Sequence, residues 1–283
     1  MSFLLKTRSE SDKPKSPSPE ELQQKIVQVR ELLGSLTAEM PAFLSDTTIR
    51  RFLRARNWST EQATKSLKET VKWRHQYRPE SICWDDIADK EYEGRRSYIA
   101  DYLDAKGRSI LITKPTIKGR VSGKEQIKHF VYLLESLAMN SADEQEEHVT
   151  WLIDLRGWSI SSTPLSTSRE SMHIVQNYYP GIIAVAILSN TPRIFESFWK
   201  IIKHFLEAKM NEKVKFVYTN NPESHKIVSE IFNMDQLETA FGGRNSITID
   251  IENYAERMRR SDLTRGVLTL SIQTDTNLIS GHH

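Results

Sequence analysis

Apolar residues recur at helical spacing in the first part of the chain, after a polar lead. Residues 8–18 contain Ser, Pro and Lys but no large apolar side chain, so we expect 1–18 to be a disordered lead. Order is predicted to begin at Ser18, which forms a capping box with Glu21 and opens a helix that ends at Gly34. The apolar residues of this helix fall on one face, as in a helix of a bundle.

Two more helices are predicted in this region. One runs from Asp46 through the sequence RRFLRARN, and the other runs from the N-cap Ser59 to about Tyr77. Pro79 stops the second helix, because the residue before a proline disfavours helical geometry. The pattern therefore predicts a small helical domain over residues 19–80.

Beyond residue 80 the hydrophobic pattern changes to strands that alternate with helices. A hairpin is predicted around Asp104 to Gly107, because Gly107 can take a positive φ. Further strands are predicted at VTWLIDL, IIAVAILS, KVKFVY and SITID, with helical segments between them. The fold class is therefore α/β, with an N-terminal helical bundle followed by a mixed, largely parallel sheet with helical crossovers. We assign residues 81–260 to this second domain and 261–283 to a C-terminal tail.

The composition of the chain excludes several classes of protein. Lys and Arg number 39 against 37 Asp and Glu, and the net charge of +2 argues against a protein that coats a nucleic-acid backbone. The single cysteine, Cys83, excludes an internal disulfide and a thiolate-rich metal site. No apolar run approaches the ~20 residues that span a bilayer. We expect a cytoplasmic protein that contacts membranes only transiently and peripherally, through a local basic patch.

Sequence signatures of enzymes are missing from the chain. It has no GxGxxG, GxxxxGKS/T, GxSxG or HExxH motif. Asp154, His173 and several serines could be drawn as a catalytic triad, but an α/β chain of this size offers such a trio by chance. We therefore expect a binding protein and not an enzyme, with no catalytic residue, no metal and no cofactor.

The segment from Arg193 to Ala208 predicts one helix with an unusually wide apolar face. A face of this width suits either a well-buried core helix or a lid that faces a ligand cavity and, when open, a membrane. Its apolar residues are Ile194, Phe195, Phe198, Trp199, Ile201, Ile202, Phe205 and Leu206.

Four arginines surround the apolar residues of the segment IRRFLRARNW. Such a cluster is typical of a solvated helix face, whereas a phosphate site would use the match between the guanidinium fork and phosphate oxygens. The residues alone leave both interpretations open. The arginines are Arg50, Arg51, Arg54 and Arg56.

Six segments in a fixed order carry a resemblance to a known family. They resemble the CRAL-TRIO domain proteins, specifically the Sec-fourteen-like phosphatidylinositol and phosphatidylcholine transfer proteins, over roughly residues 20 to 250. The resemblance implies a CRAL-TRIO N-terminal helical domain followed by a lipid-binding domain, whose sheet floors an apolar pocket closed by a gating helix. The six segments are RRFLRARNW, KWR ending at Arg74, DLRGWSIS from Asp154, QNYYP from Gln176, FWKIIKHFLEAK, and AFGGR from Ala240.

The resemblance also assigns roles to residues. It implies that Arg56 and Lys213 bind an inositol-phosphate headgroup. Two other positions of that site depart from the family pattern, because Gly181 stands where the family has glutamate and Met210 where it has threonine. The gate helix would consist of Phe195, Phe198, Trp199, Ile202, Phe205 and Leu206.

These features together predict a soluble phospholipid-binding and transfer protein, with phosphatidylinositol as the leading ligand. The hydroxyl pair that the family uses for choline lipids aligns with Val149 and Trp151, which argues against phosphatidylcholine recognition of the familiar kind. These departures, with Gly181 and Met210, favour the alternative of a carrier for a sterol-like or isoprenoid ligand.

A second alternative is a lipid-sensing scaffold that docks a lipid kinase or small GTPase, which the Ser/Pro-rich lead would suit. A hydrolase is the third. No nucleic acid is predicted as a partner, and no protein partner is identified.

Overall fold

The structure is a computed structural model that describes residues 16–88, 97–114, 121–139, 147–161, 164–247 and 249–267. The chain divides into two compact units between Lys72 and Trp73. The predicted lead and C-terminal tail fall largely outside the described residues, and the domain boundary predicted near residue 80 stays a prediction. None of the helices in the described ranges is long and apolar enough to cross a bilayer.

The first unit is built from helices, as the sequence pattern predicts. They are α1 (Pro19–Leu33), α2 (Leu36–Glu39), α3 (Asp46–Ala55) and α4 (Thr60–Tyr77), whose last turn belongs to the second unit. The predicted capping box opens α1, because the Glu21 N–H donates to Ser18 Oγ over 3.2 Å and the Ser18 N–H donates to the Glu21 carboxylate over 2.8 Å. These two bonds satisfy backbone groups that a helix end otherwise leaves unpaired.

The second unit contains a five-stranded sheet in the order β1-β2-β3-β4-β5. The strands are β1 (Ser97–Leu103), β2 (Ser109–Thr113), β3 (Val149–Asp154), β4 (Ile183–Ser189) and β5 (Val214–Val217). β1 and β2 form the predicted antiparallel hairpin, with Gly107 at a φ of 73°, and β2 to β5 run parallel. β3 and β4 are buried along almost their whole length, which is why they read as continuous apolar runs in the sequence.

Helices connect the parallel strands and then follow the last one. α5 (Gly123–Met139) links β2 to β3, and α6 (Leu165–Asn177) links β3 to β4. α7 (Phe195–Ile202) and α8 (Ala208–Glu212) together link β4 to β5, and α9 (Pro222–Ile231) and α10 (Ile251–Thr264) come after β5. The predicted α/β class, with a mixed, largely parallel sheet and helical crossovers, is confirmed.

Several elements differ from the sequence expectation, among them the short helix α2, which was not predicted. The segment SITID is not a strand in its described residues, and Ile247 within it is 78% exposed. Alternating β-branched residues favour a strand only where a neighbouring strand pairs with them. The single helix expected from Arg193 to Ala208 ends as α7 at Ile202 and continues as a 3-10 turn (Lys203–Phe205), and the separate helix α8 begins at Ala208. Helix α10 was not expected at all.

Helix α10 lies along the outer edge of β1. The Ile99 N–H donates to the Tyr254 hydroxyl over 3.2 Å. The Arg257 guanidinium donates to the carbonyl of Ala100 over 3.1 Å and also to the carbonyl of Ile99. Side chains of α10 therefore satisfy three backbone groups on the outer edge of β1, at Ile99 and Ala100.

Two of the sequence motifs meet in a buried ion pair of the second unit. Arg74, from the KWR segment, donates to both oxygens of Glu135 on α5, over 2.7 and 3.0 Å. The Tyr179 hydroxyl, from the QNYYP segment, donates to the same carboxylate over 2.6 Å. The Trp73 ring stacks on Tyr178 with centroids 4.2 Å apart. Both motifs therefore have a structural role, since they fix the end of α4 against α5 and the end of α6.

Candidate functional site

A cavity of about 200 Å³ lies between one face of the sheet and the helices that cross it. Its walls come from α5, α6 and α7. Because side chains alternate between the two faces along a strand, every second residue of two neighbouring strands reaches the cavity. The floor is formed by Trp151 and Ile153 on β3 with their register partners Ala186 and Leu188 on β4.

Helix α7 forms one wall of this cavity and is apolar on two sides. Phe195, Phe198 and Ile202 line the cavity and are at most 9% exposed. On the outer side, Ile194 and Ile201 are 58% and 47% exposed. The wide apolar face predicted from the sequence is thus divided between the cavity and the solvent.

Five of the six residues assigned to the gate helix line the cavity. Phe205 is the exception, and the guanidinium of Arg169 lies over its ring, 5.2 Å from the centroid. Whether this wall moves as a gate stays a prediction. The five lining residues are Phe195, Phe198, Trp199, Ile202 and Leu206.

The break after α7 is held by a side chain from α6. Leu206 is extended, with φ −90° and ψ 133°. Gln176 Nε2 donates to the Phe205 carbonyl over 2.9 Å, and Gln176 Oε1 accepts from the Glu207 N–H over 2.6 Å. The amide side chain thus bonds to backbone groups on both sides of the break, so the helix can end there without leaving them unsatisfied. This pairing stabilises the break between α7 and α8.

Lys213, a predicted headgroup ligand, lies at the amino ends of the parallel strands. Its Nζ donates to Glu147 Oε1 over 2.9 Å and to the Ile183 carbonyl over 2.7 Å. The two charged side chains are 21% and 38% exposed. The lysine therefore already has a carboxylate partner just before β3.

The two departures from the family pattern have different surroundings. Met210 lines the cavity and is 9% exposed, so its position does face a ligand space. Gly181 has a φ of 72°, where a residue with a Cβ is strained. A glutamate at position 181 would require a different local backbone.

Arg56, the other predicted headgroup ligand, lies in the first unit at the end of α3. Its Nε donates to Ser66 Oγ on α4 over 2.8 Å. In the same cluster, Arg51 Nη2 donates to Thr48 Oγ1 over 3.4 Å. Because Arg56 and Lys213 belong to different units, their convergence on one phosphate stays a prediction.

The two positions aligned with the choline-lipid hydroxyls are both in β3. Val149 is fully buried at the start of the strand. The Trp151 ring lies in the cavity floor, and its indole N–H donates to Thr113 Oγ1 on β2 over 3.0 Å. The hydroxyl that contacts Trp151 is therefore on the neighbouring strand.

Five polar side chains that the sequence analysis did not single out line one edge of the cavity, here called the polar edge. One is the last residue of β2 and the others lie on the helices that follow β2 and β3, near the carboxyl ends of these strands, where ligands bind in sheets of this type. A Cβ added to Gly123, at the start of α5, would lie 2.7 Å from Thr167 Oγ1, so this glycine permits the close approach of α6. The five residues are Thr113 in β2, Gln126 in α5, and Thr167, Ser168 and Ser171 in α6.

The second unit is thus an α/β domain with a helix-covered, largely apolar cavity on one face of a mostly parallel sheet. The family model described as the CRAL/TRIO domain matches residues 93–243, which is more than half of the chain. The chain belongs to the CRAL/TRIO domain family.

Relatives differ in how much of their length the chain covers. CRAL-TRIO domain-containing protein C23B6.04c of Schizosaccharomyces pombe is 27% identical to this chain. The alignment covers 75% of this chain but only 20% of the S. pombe protein. SEC14 cytosolic factor of Candida glabrata is 28% identical over 72% of both chains. Phosphatidylinositol transfer protein PDR17 of Saccharomyces cerevisiae is 27% identical over 65% of this chain and 55% of its own. The crystal structure of Sfh5 has a TM-score of 0.63 at 13% identity, over 88% of this chain and 99% of Sfh5, which shows a shared fold.

Proposed function

We propose that this protein takes a lipid out of a membrane and carries it in the cavity beneath α7, with phosphatidylinositol as the leading ligand. The observation that carries the proposal is the apolar cavity, which is covered by a helix with apolar residues on its inner and outer sides. The name of PDR17, a phosphatidylinositol transfer protein, supports the ligand class. The name of SEC14 cytosolic factor supports a cytoplasmic location.

The volume of the cavity supports the proposal that one of its walls moves when a phospholipid enters. A cavity of about 150 Å³ in another protein is filled by one benzene molecule, and the cavity here is about 200 Å³. A phospholipid with about 30 chain methylenes is several times larger than benzene, so uptake requires one wall to move outward. Helix α7 suits this movement, because a hydrogen-bonded break already separates it from α8.

Headgroup contacts would decide which lipid is chosen. The chain methylenes gain about 0.8 kcal/mol each relative to water, but a bilayer is as apolar as the cavity, so this gain nearly cancels during exchange. Arg56 and Lys213 are the residues that we propose for the inositol phosphate. Met210 and Trp151 line the cavity where the family pattern has hydroxyl groups, which favours a second candidate, a carrier of another apolar ligand.

The experiment that tests the proposal has two parts. Native mass spectrometry of the purified protein identifies the lipids that remain bound, and a phospholipid is expected. Vesicle-to-vesicle transfer of labelled phosphatidylinositol then compares the parent with the double variant Phe198→Asp and Ile202→Asp. Transfer should be lost in that variant, because two charges would face the apolar cavity.

Two control variants separate the possible causes of a loss. Ile201→Asp changes only the outer side of α7 and should weaken vesicle docking more than lipid binding. Lys65→Ala, an exposed change in the first unit, should have no effect. A folded double aspartate variant that transfers lipid at the parent rate would overturn the role proposed for α7.

A further inference from the structure

The polar edge of the cavity can both donate and accept hydrogen bonds. Thr113 Oγ1 accepts from the Trp151 indole over 3.0 Å and from Ser97 Oγ over 3.4 Å. A hydroxyl that accepts two hydrogen bonds has its own proton left to donate. Ser171 Oγ donates to the Thr167 carbonyl over 2.9 Å, so its lone pairs remain to accept.

The charges at this edge are compensated within the protein. Lys114 Nζ lies 2.9 Å from Glu238 Oε2, and the same carboxylate accepts from the Tyr98 hydroxyl. Asp154 is paired with Arg156 at 2.6 Å. Each charged side chain that lines the cavity in the described part of the chain therefore has an opposite charge beside it. A phosphate at this edge would meet no uncompensated cation, whereas an uncharged oxygen would meet hydroxyl groups.

We infer that the polar edge binds an uncharged oxygen of the lipid, either a hydroxyl or a carbonyl. This inference rests on the proposed function, since it concerns the same cavity. It places a recognition site at the carboxyl ends of β2 and β3, whereas Lys213 lies at the amino ends of β4 and β5. The oxygen could belong to the glycerol ester of a phospholipid or to the hydroxyl of a neutral lipid.

A pair of probes that differ in one oxygen tests the inference. The first is a pyrene-labelled long-chain alcohol and the second is the matching hydrocarbon without the hydroxyl, both titrated into the full chain. The parent should bind the alcohol about tenfold more tightly, as one hydrogen bond to a buried partner implies. The double variant Ser168→Ala and Ser171→Ala should lose most of this preference, while binding the hydrocarbon as the parent does.

Two further variants control the comparison. Ser229→Ala removes a hydroxyl from the exposed surface of α9 and should leave the preference intact. Thr113→Val should also lower the preference for the alcohol over the hydrocarbon. Because this change leaves the Trp151 indole N–H without its partner, the folding of the variant is checked by circular dichroism. The serine variants test the inference even where Thr113→Val fails to fold.

Transfer of labelled phosphatidylinositol distinguishes the two sources of the oxygen. If the polar edge binds the glycerol ester, the serine double variant transfers phosphatidylinositol more slowly. If it binds the hydroxyl of a neutral lipid, only the alcohol preference falls. Equal affinity of the parent for both probes, with unchanged phosphatidylinositol transfer by the double variant, would overturn the inference alone. Failure of the parent to bind either probe or to transfer phosphatidylinositol would overturn the proposed function with it.

Discussion

Lys213 Nζ lies 2.9 Å from Glu147 Oε1, so the lysine expected to bind a phosphate is already paired with a carboxylate. The ammonium group has three protons, and the Ile183 carbonyl accepts the second of them. A phosphate could accept the third, but it would then lie close to the negative charge of Glu147. This pairing weakens the attraction of Lys213 for an anionic headgroup.

Glu147→Gln should therefore increase transfer of phosphatidylinositol relative to an uncharged lipid. We expect an increase of about three- to tenfold at low salt, and less at physiological salt because the pair is partly exposed. Vesicle transfer at two salt concentrations measures the effect. The control is Glu212→Gln, which removes an exposed carboxylate next to Lys213 in sequence. Equal effects of both variants would mean that the change reflects net charge only.

Arg56→Ala combined with Lys213→Ala should abolish selection of phosphatidylinositol while the protein stays folded. Each single change should lower transfer by about tenfold, as the loss of one charge-assisted contact implies. If both residues contact one phosphate, the double loss will differ from the sum of the single losses. Lys215→Ala, an exposed change on β5, is the control. Parent-rate transfer by the folded double variant would favour a solvated face for the arginine cluster.

Gln176→Ala should destabilise the segment between α7 and α8. The Phe205 carbonyl and the Glu207 N–H would lose their side-chain partner, at about 1–3 kcal/mol of stability. We expect a lower melting temperature and faster release of a bound fluorescent lipid, with faster hydrogen exchange in residues 203–212. Asn177→Ala is the control, because that amide is only half-buried and donates within its own helix to the His173 carbonyl. Unchanged release would show that the break does not limit lipid exchange.

Glu135→Gln should destabilise the second unit in a pH-dependent way. Burial raises the pKa of Glu135, but the charge and hydrogen bonds of Arg74, together with the Tyr179 hydrogen bond and the charge of Arg265, leave the pKa below its usual value. A lowered folded-state pKa stabilises the protein fully above the unfolded pKa of about 4.3, and the stabilisation is lost as the pH falls through the folded pKa.

The free energy of unfolding of this variant should therefore be about 3–5 kcal/mol lower than that of the parent near neutral pH. The difference should be smaller below pH ~4. Urea denaturation at both pH values measures the difference. Glu80→Gln is a matched control, because Glu80 contacts the same Arg74 over 3.3 Å but is 38% exposed. A deficit that is the same at both pH values would contradict the assignment to the Glu135 charge.

The sheet and most helices could be predicted because their signals are local. Buried parallel strands read as apolar runs, and the caps at Ser18 and Ser59 are visible in the sequence. The broken helix could not be predicted, because Gln176, whose side chain satisfies the backbone groups at the break, lies about 30 residues earlier in the chain. Helix α10 was missed because most of its residues are polar. Its start is nevertheless recognisable, because Asp250 is an N-cap that accepts from the Glu252 and Asn253 N–H groups.

The cavity was only partly predictable. The apolar face of α7 stands out in the sequence, and the structure places that face on a cavity wall. The polar edge could not be predicted, because its five hydroxyl and amide side chains come from one strand and two helices that only the folded sheet brings together. Likewise, the pairing of Lys213 with Glu147 joins residues 66 positions apart, and no local spacing indicates it.

Helix α10 sets the C-terminal limit for a fragment of this protein, because it covers the outer edge of β1. The family match ends at residue 243, and α10 begins at Ile251. A fragment cut at the family boundary would keep all five strands but lose Tyr254 and Arg257, so the outer backbone groups of Ile99 and Ala100 would lie open. An uncovered strand edge is a template for another chain. Without its last helix the domain would present this open strand edge to its own copies.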